Sequence, residues 1–158
     1  TAAEAEAAVR EAKFPPRGSR GFGYSRANGH GADFATYIAS ANEEIAMIMQ
    51  IEHKDALDNL DAILAVDGVD AVFIGPLDLS GSMGLTGQLD HPDVVGALAR
   101  YRAACTAHHK AAGMHIVRPR EEAIQRARAE GYTMLALGLD TVFLQEGARA
   151  ALRAAGRS

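Results

Sequence analysis

AVFIGPLDLSGSMG, residues 71–84, joins a short apolar run to an abrupt polar stop. Ala71 to Ile74 has the length of a strand, and no polar residue alternates with the apolar ones, as expected where both faces of a strand are covered. Gly75-Pro76 ends the run, and Asp78, Ser80, Gly81, Ser82 and Gly84 follow. An acid just beyond a buried strand either caps the next helix or stands at the carboxyl end of the strand as a functional group.

The same cadence extends in both directions. Upstream, IAMIMQI (45–51) is an apolar run of strand length closed by Glu52, and Ala56, Leu57, Leu60, Ile63 and Leu64 then recur at helical spacing. Before it, Thr1 and Glu4 form a capping box for a helix over Ala2–Ala12, which Phe14-Pro15-Pro16 terminates. Residues 17–32, rich in glycine and arginine, read as a long ordered loop, and a short helix is expected from Asp33 through Phe34, Tyr37 and Ile38. Downstream, Pro92 fits the first turn of a helix whose Val94, Val95, Leu98, Tyr101 and Cys105 share a face until Gly113 closes it. GMHIV (113–117) reads as a third strand and TMLALG (133–138) as a fourth, with a helix between them from Pro119 to near Gly131. A last helix, Thr141 to Ala155, is expected to turn Val142, Leu144, Ala148 and Leu152 inward.

Apolar strands alternating with amphipathic helices specify an α/β protein with a parallel sheet. A doubly wound sheet and a (β/α)8 barrel both satisfy the pattern, and both place their chemistry at the carboxyl ends of the strands. The polar residues there are Gln50, Glu52, Asp78, Ser80, Arg118 and Asp140.

Composition restricts the function. With 158 residues, 48% of them hydrophobic, the chain reads as a single domain, 1–158, able to bury one sizeable core. Twenty acidic residues against 16 basic ones, a net charge of −4, leave no basic run for a nucleic acid backbone. No apolar stretch approaches the roughly 20 residues that cross a bilayer, and no leader pattern opens the chain, so no membrane partner is expected. A single cysteine, Cys105, rules out an internal disulfide and suits a reducing compartment, hence a cytoplasmic protein.

Glu52 and Asp78 end consecutive strands, so they are expected on one rim within a few ångströms of each other. Two converging carboxylates suit a hard divalent cation such as Mg²⁺ or Mn²⁺, which keeps positions open for water and substrate; helix capping accounts for each acid about as well when it is taken alone. Gly75 lets the backbone approach a ligand, Pro76 stiffens the turn, and the N–H groups of Leu77 and Asp78 can face an anion. Gln50 and Ser80 are expected behind these groups, although a buried amide that merely satisfies its own hydrogen bonds would look the same at position 50.

At this point the residues become specific. QIE (50–52), VDGVDAVFIGPLDLSGSMG (66–84), HPDV (91–94), FPPRGSRGFGYSRAN (14–28), ANEE (41–44) and GLDTVFL (138–144) together resemble the HpcH/HpaI family of class II, metal-dependent 2-keto-3-deoxy acid aldolases, built on a (β/α)8 barrel. The resemblance runs the length of the chain. It implies that Glu52 and Asp78 are the metal ligands, with Mg²⁺, Mn²⁺ or Co²⁺ as the ion. It also implies that Gly75, Pro76, Leu77 and Asp78 form the loop holding the carboxylate of pyruvate. The implied reaction is cleavage of a 4-hydroxy-2-keto acid, such as a 2-keto-3-deoxy sugar acid or 4-hydroxy-2-oxoheptanedioate, to pyruvate and an aldehyde.

The remaining titratable residues carry weaker readings. His53 and His91 are expected at helix starts, His108 and His109 on the surface, His30 in the loop, and His115 in a strand as a core histidine. Arg118 and Asp140 could reach the rim or form structural ion pairs. Lys13, Lys54 and Lys110 are the only lysines, and none lies within an apolar strand, which disfavours a Schiff-base route.

A (β/α)8 barrel takes about 250 residues and eight strands, and four strands are legible here. The family's base histidine and keto-acid arginine lie on early strands with no counterpart in this sequence. The chain is therefore expected to be the C-terminal part of a barrel, through a truncated gene, processing or a partial sequence, and to self-associate as a homo-oligomer. Two other functions stay open: a citrate lyase-like or malyl-CoA lyase-like enzyme acting on an acyl-CoA, for which no added basic loop is seen, and a noncatalytic remnant that binds metal or keto acid.

Overall fold

The computed structural model describes residues 1–157. Its elements in chain order are α1 (Ala2–Ala12), α2 (Phe34–Glu44), β1 (Ile48–Ile51), α3 (Lys54–Asp58), α4 (Leu60–Leu64), β2 (Ala71–Ile74), α5 (Pro76–Ser82), α6 (Pro92–Ala107), β3 (Ala111–Ile116), α7 (Glu121–Ala129), β4 (Met134–Leu137) and α8 (Asp140–Ala154). All four strands are parallel and lie in the order β1-β2-β3-β4. That order bears out the partial barrel that the resemblance implies and that the alternating pattern alone did not separate from a doubly wound sheet. A doubly wound sheet reverses its strand order at a switch point, whereas sequential parallel strands are an arc of a (β/α)8 barrel. The fold is α/β, with four βα units of the barrel present.

The register separates the two faces of the sheet. Met49, Val72 and Ala112 lie in one row and Ile51, Ile74 and Met114 in the next, all turned towards the helices. The opposite face carries Gln50, Phe73, Gly113 and Met134 in one row. Gly113 is required there: a Cβ would lie 2.4 Å from Cε of Met134 and 2.6 Å from Cδ2 of Phe73.

Most of the core lies under α4, α5 and α6. Leu60, Leu64, Val72, Ile74, Leu79 and Tyr101 are at most 2% exposed. The Tyr101 hydroxyl reaches between two strands, donating to the Val72 carbonyl (2.8 Å) and accepting from the Gly113 N–H (3.0 Å). One buried phenol thereby seats α6 on β2 and β3.

Several local expectations are corrected. The first strand is shorter than IAMIMQI, because α2 continues to Glu44 and the Asp70 carboxylate takes the Met47 N–H (2.6 Å) just before β1. The helical run from Ala56 to Leu64 is broken into α3 and α4 at Asn59, whose φ of −98° and ψ of 10° leave the helical region. Gly113 does not close α6: the helix stops at His108, His109 turns the chain with φ 54°, and Gly113 lies within β3. The inward face expected of α8 is open instead. No residue of α8 is buried, and Leu144 is 76% exposed.

The loop of residues 17–32 is ordered, as expected, by the buried Asn28. Its amide donates to the Gly23 carbonyl and accepts from the N–H groups of Ser25 and Gly31, closing a short 3₁₀ turn over Arg26–Gly31. Among the described residues, no helix is long and apolar enough to cross a membrane.

Candidate active site

β1 and β2 deliver the two acids to one place. Glu52 follows Ile51, and Gly75 follows Ile74, its register partner, with the Gly75 N–H donating to the Ile51 carbonyl (3.1 Å). Glu52 and Gly75 are therefore neighbours at the carboxyl rim. An ideal Cβ on Gly75 would stand 3.0 Å from Oε2 of Glu52 and 3.6 Å from Oδ2 of Asp78, so both carboxylates converge over the one residue that has no side chain to fill the space. Any larger residue at 75 would intrude on them.

Gly75 is also the N-cap of α5, and Pro76 occupies its first turn, where its missing N–H costs nothing. The first intrahelical bond runs from the Leu79 N–H to the Gly75 carbonyl (2.9 Å). The N–H groups of Leu77 and Asp78 lie ahead of it, in the turn whose donors have no intrahelical acceptor. Leu77 is 56% exposed, so the turn is open to solvent.

The supporting residues divide. Gln50 donates from Nε2 to Oε2 of Glu52, fixing that carboxylate from the same face of β1. Ser80 is fully buried and faces away from the acids; its hydroxyl donates to the Leu77 carbonyl (2.6 Å) and accepts from the Gly87 N–H (3.0 Å), tying the start of α5 to the loop after it. Ser82, which sequence reasoning left without a role, accepts from the Lys54 N–H (2.9 Å) and so couples α5 to the segment following Glu52.

His53 and His91 are N-caps, each accepting through Nδ1 from the N–H two residues on. His108 pairs with Asp61 (3.0 Å). His115 is half-buried on the uncovered face of the sheet, one strand over from Gly75, with Nε2 2.9 Å from the Gly138 carbonyl. A carbonyl only accepts, so Nε2 carries the proton. Arg118 pairs with Glu146 (3.0 Å), and Asp140 accepts from the N–H of Thr141. Cys105 is buried, and burial pushes its thiol pKa up to about 11, so it packs rather than reacts.

Lys13 is buried, which its place at a helix end did not suggest; its ammonium donates to the carbonyls of Asn42 (2.7 Å) and Ile45 (2.6 Å). Lys110 donates to the Val69 carbonyl (2.5 Å). Both partners, Ile45 and Val69, precede strands, so these lysines hold the amino rim, opposite the two acids. Among the described residues no group of three or more His, Cys, Asp or Glu side chains gathers as a metal cage. Two carboxylate oxygens over an open glycine remain a donor set suited to a hard cation that takes its other ligands from water and substrate.

Comparison with known proteins identifies the family and the fold. The profile of the HpcH/HpaI aldolase/citrate lyase family matches residues 1–146. A hydroxypyruvate/pyruvate aldolase of Roseovarius nubinhibens is 43% identical over 157 residues, covering 96% of this chain and 59% of the relative. A 5-keto-4-deoxy-D-glucarate aldolase of Shigella dysenteriae is 42% identical over 141 residues, covering 89% and 54%. The crystal structure of an HpcH/HpaI aldolase/citrate lyase family protein from Burkholderia cenocepacia superimposes with a TM-score of 0.86 at 35% identity, over 98% of this chain and 61% of that one. The chain thus spans somewhat more than half the length of the relatives it matches. With the profile covering nearly all of its residues, the chain belongs to the HpcH/HpaI aldolase/citrate lyase family.

Proposed function

We propose that this chain is the C-terminal, metal-holding part of a class II pyruvate aldolase, a single domain over residues 1–158 that acts on a 4-hydroxy-2-keto acid. The observation that carries the reading is the convergence of Glu52 and Asp78 over Gly75. Glu52 and Asp78 would hold a divalent cation, Mg²⁺ or Mn²⁺ by its preference for oxygen donors, with Co²⁺ as a further candidate. When bound, such an ion supplies Lewis-acid polarisation of the substrate's keto oxygen. Gln50 keeps Glu52 in one orientation. The N–H groups of Leu77 and Asp78 bind the keto acid's carboxylate at the opening turn of α5, and Gly75 and Pro76 set the direction in which those donors point.

Relatives named as aldolases of keto-deoxy sugar acids and of hydroxypyruvate or pyruvate support this substrate class. Lys13 and Lys110 hold the opposite rim, and Lys54, the lysine near the acids, is exposed at the start of α3 rather than desolvated in a pocket, which supports a route without a covalent imine. A buried free thiol suits the cytoplasm. The open face of α8 and the uncovered side of the sheet favour a homo-oligomer.

Calorimetric titration of Mn²⁺ with and without oxalate tests the reading. Tighter metal binding in the presence of oxalate, lost in Asp78→Ala, is expected. Identical metal binding by the wild type and the Glu52→Ala/Asp78→Ala double variant would sink it.

A further inference from the structure

The segment that carries Glu52 is tied to the segment that carries Asp78 at two points, and one of the ties is made by a side chain. On the strand side, the Ile51 carbonyl accepts from the Gly75 N–H (3.1 Å). Beyond Glu52, the Lys54 N–H donates to Oγ of Ser82 (2.9 Å), 28 residues away in the chain. Glu52 is thereby bracketed, one residue before it and two after, by bonds to the stretch that runs from Gly75 through α5. Ser82 lies one helical turn after Asp78, so the two share a face of α5. Asp78 approaches Glu52 over Gly75, and Ser82 holds the Lys54 N–H one turn further on.

The bond is not needed to satisfy a stranded donor. Lys54 opens α3 with an N–H that has no acceptor within the helix, but the residue is exposed, and water would serve that donor as well. His53, the local cap, accepts from Asp55 instead. The Ser82 hydroxyl donates to the Leu79 carbonyl (2.7 Å), which fixes its orientation and leaves an oxygen lone pair for Lys54. What Ser82 adds is a fixed distance between two segments whose acids repel each other when no cation lies between them. Oε2 of Glu52 and Oδ2 of Asp78 stand 3.0 and 3.6 Å from one point above Gly75, and like charges gathered so closely push apart. Gln50 orients the Glu52 carboxylate from within β1, so it does not hold α5 in place.

We propose that Ser82 is a positioning residue for the cation site, holding α5 against the turn after Glu52 so that the two acids keep the separation an ion requires. This rests on the reading of Glu52 and Asp78 as metal ligands. Ser82 touches neither carboxylate; it acts through the backbone at Lys54. The coupling is reciprocal, so an ion that draws the acids together tightens the Lys54–Ser82 bond in turn.

Two measurements on the 158-residue chain test this: calorimetric titration with Mn²⁺ in the presence of oxalate, and hydrogen exchange of the Lys54 amide, followed by NMR, with and without Mg²⁺ and oxalate. Ser82→Ala is expected to weaken Mn²⁺ binding about tenfold, the scale on which groups behind metal ligands act, with its far-UV circular dichroism retained. Ser82→Thr, which keeps the hydroxyl, should bind as the wild type does. In the wild type the ion should slow exchange at the Lys54 amide, a readout that requires no variant to fold. Mn²⁺ binding by a folded Ser82→Ala equal to that of the wild type, or a Lys54 amide whose exchange is indifferent to the ion, overturns the proposal. Wild-type binding that the Glu52→Ala/Asp78→Ala double variant leaves unaltered overturns the metal reading itself, and the role of Ser82 with it.

Discussion

α6 and α8 are nearly the same length, 16 and 15 residues, and both carry an apolar stripe at helical spacing, yet they end in opposite circumstances. α6 buries Val94, Ala97, Tyr101 and Cys105. α8 buries nothing and leaves Phe143 50% and Leu144 76% exposed. α6 lies across β2 and β3, two strands with neighbours on both sides, whereas α8 follows β4, the last strand of the sheet. A stripe states that a helix has a face to cover; it does not state that the same chain supplies the cover.

The contrast is most easily broken at Tyr101. Tyr101→Ala removes a wholly buried ring and the acceptor of the Gly113 N–H, and should cost about 3–5 kcal/mol in urea unfolding. A loss no larger than that of a surface substitution would mean that α6 is not seated as described.

A smaller effect should follow from pH. Burial raises the Cys105 thiol pKa from its ordinary value near 9.0 to about 11, with a hydrogen bond to Tyr101 pulling partly the other way. The folded chain therefore holds this proton more tightly than the unfolded one. The corresponding stability is complete below about pH 9 and is lost as pH rises towards 11, on the order of 2 kcal/mol for such a shift. Denaturation midpoints compared across that window in wild type and Cys105→Ala check the sign: the wild type should lose more stability than the variant.

Leu144→Ala should show the smallest effect on the chain's own stability, within about 0.5 kcal/mol, because the side chain touches little. If the open stripe of α8 is covered by a second copy, the same substitution should instead lower the mass seen by light scattering. An unchanged mass together with a large stability loss would place α8 against this chain's own core.

The placement of the rim acids was legible where it depended on neighbours in sequence. Glu52 and Asp78 each end an apolar run, and the glycine and proline between strand and acid announce a turn with open N–H groups. Ser80 was legible as a polar residue near the site but not in its direction, because a one-residue difference on a short helix decides whether a hydroxyl faces the rim or the loop at Gly87. The burial of Lys13 was not legible for a related reason: its partners, the carbonyls of Asn42 and Ile45, lie about thirty residues away and belong to no motif. The Arg118–Glu146 pair was invisible in the sequence, since the two residues lie 28 positions apart and meet only where α8 passes the end of β3.

The sequence alone determined that the strands are parallel and that acids stand at their carboxyl ends, because short apolar runs joined by helices pair as a parallel sheet and a parallel sheet gathers its strand ends on one rim; that one face of this sheet is left uncovered was not legible in the runs. The alternating pattern by itself fits an arc of a barrel and a doubly wound sheet alike; the family resemblance implied the barrel, and the sequential strand order of the tertiary structure bears it out. Only the tertiary structure decided that the two acids meet over Gly75. That convergence rests on the register Ile51–Ile74, set by side-chain packing between residues far apart in the chain, which no local periodicity encodes.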